Sequence, residues 1–184
     1  EKNLLGGDCL NTGCVPSKAF LRCANVAHQA REASEYGITC EDVTVDFPVV
    51  MERMRKIRAQ ISENDSAERF QKSMGVDVFL GHAKFTGLNS VEVNGKTLEF
   101  TKACIATGGR PKVPEIPGLE NFTYYTSDSI FNLRVQPKRM LIIGAGPIGA
   151  ELGQAFQRLG TQVTFVIRGQ NFLPKEDRDA SLFL

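Results

Sequence analysis

Two cysteines near the start of the chain have a spacing that could support redox chemistry. Cys9 and Cys14 are five positions apart within residues 6–18, GGDCLNTGCVPSK. On a regular helix, five residues turn the chain by about 500°, so the two side chains would point about 140° apart. A disulfide needs Cβ atoms about 3.8 Å apart. The pair can therefore meet only if the backbone is irregular, and Gly13 and Pro16 predict that a helix begins near Cys14.

The start of that helix would favour a reactive sulfur. The helix dipole at Cys14 favours a thiolate, and Lys18 lies one turn later on the same face. A stabilised thiolate beside a reducible disulfide is what thiol–disulfide exchange requires. The residues alone also allow two buried structural cysteines, half of a zinc site or an inert disulfide. Structural roles are predicted for the remaining cysteines and both histidines: Cys23, Cys40, Cys104, His28 and His82.

A second motif, residues 144–149 (GAGPIG), has the pattern G-x-G-x-x-G. It follows an apolar strand over 139–143, opens a helix over 147–159 and precedes a second strand over 162–167, so it lies in a βαβ unit. Gly144 permits the tight turn, Gly146 lets a pyrophosphate approach the helix N-terminus, and Gly149 lets helix and strand pack. The alternative is a turn with incidental glycines.

The residues after the second strand bear on the choice of nucleotide. NAD-binding folds usually place Asp or Glu there to hold the ribose hydroxyls, whereas this chain has Ile167 and then Arg168. Arg168 could hold a 2′-phosphate, assisted by Lys175. We therefore predict NADPH rather than NADH, the alternative being that Arg168 is an ordinary solvated loop residue.

The intervening sequence changes from helical to strand-like periodicity. One helix is expected from Cys14 to about Ser34 and another over 47–74, with Arg58 and its basic neighbours mostly facing out. Asn94-Gly95 between β-prone runs indicates a hairpin. The apolar face of the second helix is expected to carry Val49, Val50, Met54, Ile57, Ile61 and Phe70. Short strands are expected over 76–80, 83–85, 90–93 and 97–105, followed by a Gly- and Pro-rich linker and a short helix near 128–133.

Residues 6–18 closely resemble the signature of the pyridine-nucleotide–disulfide oxidoreductases, a family that includes mercuric reductase, dihydrolipoyl dehydrogenase and glutathione reductase. The resemblance covers essentially the whole chain. Residues 81–83 and 106–109 are similar to flavin-contacting segments, 113–118 to the linker, and 151–160 most of all to mercuric reductases. Two positions depart from the pattern: Asp8 stands where many relatives have Thr, and Pro147 where glutathione reductase has Tyr.

The resemblance implies an electron relay. In it NADPH reduces FAD, which reduces a Cys9–Cys14 disulfide; Cys14 faces the flavin and Cys9 meets the substrate. Lys18 would lie near the flavin and pair with Glu151. The implied FAD contacts are Gly7, Asp8, Lys18, Ala83, Thr107 and Gly108.

The predicted fold class is α/β, with two partial Rossmann-like nucleotide-binding domains. Residues 1–108 would be a partial FAD domain with an antiparallel β-meander, 109–120 a linker, and 121–184 the first half of an NAD(P) domain. The sequence has one G-x-G-x-x-G motif, whereas family members have an earlier one for FAD and a later interface domain that supplies a catalytic His–Glu pair. We therefore expect a piece of a longer protein, inactive alone and dependent on the missing chain or on partner proteins.

Composition narrows the class of protein. The 184 residues carry a net charge of +1, which gives no reason to expect nucleic acid or an anionic membrane as partner, and no apolar run reaches membrane-spanning length. Five cysteines argue against a secreted disulfide scaffold and for an intracellular protein, in cytoplasm, mitochondrion or plastid. The expected substrate is a small disulfide or a metal ion, with no resident metal, and the full-length protein is expected to be a homodimer. The rival interpretation is a non-catalytic scaffold subunit that keeps the fold.

Overall fold

The computed structural model describes residues 1–183, which form two small sheets and six α-helices. The α/β class, with an antiparallel meander and a parallel βαβ unit, is confirmed. The antiparallel sheet contains β1 (Ala83–Phe85), β2 (Ser90–Val93) and β3 (Lys96–Glu99), and the parallel sheet contains β4 (Arg139–Ile143) and β5 (Gln162–Val166). The helices are α1 (Gly7–Asn11), α2 (Cys14–Glu32), α3 (Phe47–Ser62), α4 (Ala67–Met74), α5 (Pro147–Arg158) and α6 (Arg178–Phe183).

Helix α2 begins at Cys14, as expected. Pro16 lies in its first turn, where the missing N–H costs no hydrogen bond. The helix runs into a 3₁₀ turn over Ala33–Tyr36 that ends at Gly37, whose φ of 73° suits glycine. Both ends of the helix therefore follow from local sequence signals.

The single helix expected over 47–74 is wrong, because the chain forms α3 and α4 with a 3₁₀ turn over Glu63–Asp65 between them. Ser66 has extended backbone, and its hydroxyl accepts a hydrogen bond from the Arg69 amide at 3.2 Å, which starts α4 as a new helix. Asp46 caps α3 in the same way, accepting from the Val49 amide at 3.1 Å. The N-cap signal at Ser66 therefore outweighs the continuous helical periodicity.

The buried face of α3 also differs from the prediction. Phe47, Met51 and Met54 are buried, whereas Val49 is 61% exposed and Ile61 is exposed as well. Helix α3 packs on α2 through a narrower stripe than the predicted apolar face, so the valine lies outside the contact.

The meander has the predicted hairpin at Asn94-Gly95, where both residues have positive φ, 52° and 77°. Strand β2 pairs antiparallel with β1 and β3, and Val91 faces Leu98 across one ladder. The strands expected over 76–80 and 97–105 are wrong in extent: the first is not a strand, and the second ends at Glu99. Neither missing stretch pairs in a ladder within residues 1–183, and β-propensity alone does not make a strand.

The βαβ unit lies where the sequence predicted it. Strands β4 and β5 are parallel, with Arg139 opposite Gln162 and Ile143 opposite Val166. Alternate residues such as Ile142 and Phe165 are partly buried, and both contact the position of Gly153 on α5. The opposite sheet face presents exposed apolar side chains: Leu141, Ile143 and Val166.

The main core lies between α2, α3 and α5. Phe20, Phe47 and Phe156 meet there, with the Phe20 and Phe156 ring centroids 4.8 Å apart. Each of these rings is at most 2% exposed. Ile130 and Phe131 complete the cluster, and most of the surrounding buried residues are alanine, methionine or leucine: Ala19, Ala24, Ala27, Met51, Met54, Leu152, Ala155 and Leu159. This core joins the helix that starts at the cysteine pair to the helix that starts at the glycine motif.

Candidate active site

The backbone between the two cysteines is irregular, as their spacing required. Helix α1 ends at Asn11, with Thr12 as its C-cap, and Gly13 has φ −120° and ψ −111° before α2 starts. A Cβ on Gly13 would lie 2.9 Å from the Asp8 carbonyl oxygen, so a larger residue would push α1 away from α2. Gly13 thus allows the close turn that brings Cys9 back towards Cys14.

The cysteine loop is held by two side chains whose role sequence reasoning missed. Asn11 donates from Nδ2 to the carbonyl oxygens of Leu5 at 3.0 Å and Gly7 at 2.9 Å. Arg58 of α3 donates from Nη1 to the Asn11 carbonyl oxygen at 3.0 Å. The expectation that Arg58 faces solvent is therefore wrong, because its guanidinium satisfies a carbonyl at the end of α1. Asn11 lay inside the motif, but nothing in the sequence marked Arg58.

The two thiols are close enough to interact. Both cysteines are free thiols and both are exposed. A hydrogen bond with Cys14 raises the pKa of the Cys9 thiol. Partial desolvation and the charges of Cys14 and Asp65 act in the same direction. This is the reduced form of the pair, and the disulfide stays a prediction.

Lys18 and Glu151 form the predicted contact. Lys18 Nζ lies 2.9 and 3.1 Å from the two carboxylate oxygens of Glu151. The two side chains are 63% and 44% exposed. An ion pair this exposed contributes at most about 1 kcal/mol to stability, so its importance lies in placing two charges near the cysteine pair.

The glycine motif has the geometry of a phosphate-binding turn. Gly144 has φ 119°, and Gly146 is the N-cap of α5, with no side chain capping the helix. The amides of Ile148 and Gly149 are therefore among those that a helix leaves unsatisfied at its start. A Cβ on Gly149 would lie 3.4 Å from Ile142 Cγ2, which fits its predicted packing role. These donors suit a dinucleotide pyrophosphate.

A glycine outside the motif matters as much for packing. A Cβ on Gly153 would lie 2.2 Å from Phe165 Cζ and 2.9 Å from Ile142 Cδ1, so α5 lies against the sheet at this point. Sequence reasoning missed this role, because Gly153 is marked only as a glycine inside a helical pattern.

Three predicted flavin-binding positions come together at the start of α1. Gly7 has φ 57° and Gly108 has φ 70°, conformations that favour glycine. A Cβ on Gly108 would lie 3.6 Å from Asp8 Oδ2, which places the 107–109 segment beside the first turn of α1. This backbone suits the close approach of a cofactor, whereas the Asp8 carboxylate would repel a phosphate.

Four other predicted binding residues are exposed, and one of them, Thr107, adjoins this cluster through its neighbour Gly108. Ala83 is exposed on β1, and Thr107 is exposed in the segment after the meander. Arg168 and Lys175 are exposed after β5, on the side of the glycine motif, where Leu173 donates its amide to the Ala145 carbonyl. The structure thus assembles the cysteine and glycine motifs and leaves these four side chains open to solvent.

Two further findings concern only residues 1–183. No helix within this range is long and apolar enough to cross a membrane. The same range contains no cluster of three or more His, Cys, Asp or Glu residues able to hold a metal ion.

Comparison with known proteins identifies the group to which these motifs belong. The family model for pyridine nucleotide-disulphide oxidoreductases matches residues 2–184. The chain belongs to this family. The match includes both the cysteine motif and the glycine motif.

Individual oxidoreductases of the family are similar over nearly the whole chain. Mercuric reductase from Lysinibacillus sphaericus is 35% identical over 181 residues, which cover 98% of this chain and 33% of that protein. Dihydrolipoyl dehydrogenase from Bacillus subtilis is 37% identical over 191 residues, which cover 98% of this chain and 39% of that protein. The copper(II) complex of HOCl-induced flavoprotein disulfide reductase RclA from Escherichia coli matches with a TM-score of 0.78 and 28% identity, covering 98% of this chain and 38% of that one. The chain therefore spans between a third and two fifths of the length of these relatives.

Proposed function

We propose that the intact protein is an FAD-dependent oxidoreductase that passes electrons from NADPH through Cys9 and Cys14 to a disulfide or metal-ion substrate. The observation that supports this most is the pair of free thiols on either side of the irregular turn at Gly13, in a chain of this family. The Lys18–Glu151 pair places a cation one turn after Cys14. FAD, when bound, supplies the two-electron step between the nucleotide and the cysteines.

For a disulfide substrate, the thiol chemistry balances with these two residues. Cys9, after losing its proton to a base, attacks one substrate sulfur, forms a mixed disulfide and releases the other sulfur as a thiolate. Cys14 then gives its proton to the first released thiolate and attacks the Cys9 sulfur, which releases the second thiolate and leaves a Cys9–Cys14 disulfide. Because the hydrogen bond raises the pKa of Cys9, that base is needed at neutral pH. A histidine beyond residue 184 would supply it, as the resemblance implies.

We assign the cofactor contacts to residues on both motifs. Gly7, Asp8, Lys18, Ala83, Thr107 and Gly108 would line the FAD site, and Gly144, Gly146 and Gly149 would hold the nucleotide pyrophosphate. The positive φ values at Gly7, Gly108 and Gly144 support close approach by backbone. Because the Asp8 carboxylate opposes a phosphate, Asp8→Thr should tighten flavin retention during gel filtration of the intact protein. Looser retention would contradict the assignment of Asp8.

The choice of NADPH rests on Arg168 and Lys175, both exposed after β5. Their cationic groups can pair with a 2′-phosphate that NADH lacks. Arg168→Glu should lower kcat/KM for NADPH at least tenfold relative to NADH, whereas Arg139→Glu, a matched change at an exposed arginine of β4, should not. An unchanged preference in Arg168→Glu would mean that the arginine is an ordinary solvated residue.

We further propose the domain division 1–108, 109–120 and 121–184, and that these 184 residues alone do not turn over. The chain covers 33% of the mercuric reductase it matches, and Leu141, Ile143 and Val166 are exposed on one sheet face. Residues 1–184 expressed alone should be colourless, aggregating or dependent on added chain. A soluble monomer with stoichiometric flavin and steady turnover would contradict this proposal.

The function is tested on the intact protein. Its flavin absorbance is recorded, and NADPH oxidation is measured with lipoamide, glutathione disulfide and mercuric ion. Cys9→Ser and Cys14→Ser should each abolish turnover and keep the flavin, whereas Cys40→Ser should change neither. A colourless protein held in a larger assembly would instead support the scaffold interpretation. The homodimeric state and intracellular location stay predictions.

A further inference from the structure

Helices α2 and α5 contact each other through two polar pairs with the same offset along the chain. Lys18 and Glu151 are separated by 133 positions, and so are Asn25 and Arg158, whose Oδ1 and Nη1 atoms are 2.6 Å apart. Each pair lies seven residues from the other on both helices, which is two helical turns, about 10 Å. The equal offset means that the two helices run in the same direction, in fixed register.

A second contact reinforces the pair at the far end. Arg31 of α2 donates to the Arg158 carbonyl oxygen. This carbonyl belongs to the last turn of α5, where a helix lacks its own donors and where a positive charge is favourable. Arg158 thus donates a hydrogen bond to α2 through its side chain and accepts one from Arg31 through its carbonyl oxygen.

The space between the polar pairs is filled by the core. Phe20 follows Lys18 by two residues on α2, and Phe156 precedes Arg158 by two residues on α5. Their ring centroids are 4.8 Å apart. Ala24 and Ala155 are each at most 2% exposed and let the helices approach closely. Such apolar contacts resist separation of the two helices, and the directional polar pairs add a preference for one register along the helix axes.

We propose that Arg158 is a positioning residue, which with Asn25 and Arg31 sets the register of α5 along α2 and so holds Glu151 at Lys18. The proposal rests on the function proposed above, because its consequence is at the cysteine pair. Glu151 offsets the charge of Lys18, one turn from Cys14. A slip of α5 separates the two charges and leaves Lys18 uncompensated near the thiol.

The readout is alkylation of Cys14 in the reduced, intact protein carrying Cys9→Ser, followed by peptide mass spectrometry. It needs no flavin and no nucleotide, so it can fail or succeed independently of the oxidoreductase activity. With Glu151→Gln, Lys18 stands as an uncompensated cation one turn from Cys14, so the iodoacetamide rate at pH 7 should rise about twofold, with no change at high pH.

The groups around the thiol stay the same in every variant except for the residue changed. They are Lys18 of α2, Glu151 of α5, Arg58 of α3, which bonds the Asn11 carbonyl, and Asp65 after α3, whose charge acts on position 9. A difference in rate that is confined to pH 7 therefore reports charge, whereas a difference at all pH values reports exposure of the sulfur.

Arg158→Met should also raise the iodoacetamide rate at pH 7 about twofold. Because both changes remove the same Lys18–Glu151 contact, the double variant with Glu151→Gln should show a rise of about twofold and not fourfold. Arg158→Lys, which can still donate to Asn25, should restore the original rate. Arg22→Met, at an exposed arginine of α2, is the matched control and should leave the rate unchanged.

Asn25→Ala removes only an exposed acceptor and should change the alkylation rate as Arg158→Met does. It replaces Arg158→Met in the test if the arginine variant folds poorly. Three results would each overturn the proposal: an unchanged rate in both Arg158→Met and Asn25→Ala, multiplicative effects in the double variant, or no effect of Glu151→Gln.

Discussion

The three-helix core and the β-meander are two regions of the same chain with opposite degrees of burial. In the core, Phe20, Phe47 and Phe156 are almost fully enclosed by α2, α3 and α5. In the meander, Val93 is the buried residue, and Phe85 is 56% exposed. The cysteine and glycine motifs both start helices of the core, whereas Ala83 and Thr107 lie on or after the meander.

The difference indicates how the candidate site is organised. The residues proposed to carry the redox step are fixed to each other by packing within the chain. The residues proposed to contact the far part of the flavin are held by a thin sheet and an extended segment. Substitutions in the core should therefore change both stability and the cysteine pair, and substitutions in the meander should change neither strongly.

The largest expected effect is the loss of stability when a buried aromatic side chain of the core is truncated. Phe156→Ala should lower the free energy of unfolding of the intact protein by about 3 to 5 kcal/mol, because a buried aromatic ring leaves a cavity. Phe85→Ala, the same change in the meander, should cost less than about 1 kcal/mol. Urea unfolding monitored by circular dichroism measures both, and equal losses would remove the distinction between the regions.

An added methyl group provides the converse test. Gly153→Ala should destabilise by about 1 to 3 kcal/mol, because its Cβ would overlap the Phe165 ring. Gly109→Ala meets nothing within 4 Å in the extended segment and should lie within about 0.5 kcal/mol of the original. The same unfolding measurement applies, and a tolerated Gly153→Ala would show that α5 can move off the sheet.

A smaller effect is expected where the core meets the cysteine loop. Arg58→Met removes the hydrogen bond to the Asn11 carbonyl. The rate of hydrogen exchange at amides 9–12 should therefore rise about tenfold, which corresponds to a free energy of local opening that is lower by about 1.4 kcal/mol. Arg55→Met breaks only the exposed pair with Glu52 and serves as the control. Unchanged exchange in Arg58→Met would mean that the loop is held by Asn11 alone.

The smallest expected change is in pH dependence. The hydrogen bond with Cys14 raises the pKa of Cys9, so less of the Cys9 thiolate is present at a given pH. Cys14→Ala should therefore shift alkylation of Cys9 to lower pH, and Cys14→Ser, which keeps a hydroxyl partner, should shift it less. Alkylation rates measured from pH 6 to pH 11 decide the matter, and coincident profiles for the reduced original and Cys14→Ala would contradict the interaction.

The sequence predicted those features that depend on local signals. The start of α2, the Asn94-Gly95 hairpin, the βαβ unit and the Lys18–Glu151 contact were all foreseen, the last through the family resemblance. The break at Ser66, the exposure of Val49 and the inward turn of Arg58 were not. The break is marked by the local N-cap signal at Ser66, which the continuous periodicity obscured. The other two depend on which neighbouring element occupies a given side of a helix, and periodicity along one helix does not contain that information.

The most direct test of the central claim follows the cysteine pair through one reduction. The intact, air-oxidised protein is blocked with N-ethylmaleimide, treated anaerobically with NADPH and labelled with iodoacetamide, and residues 3–18 are analysed as one tryptic peptide. The account predicts that Cys9 and Cys14 escape the first reagent and both take the second only after NADPH. If both react with N-ethylmaleimide at the start, or if NADPH exposes neither, the pair is not the redox centre.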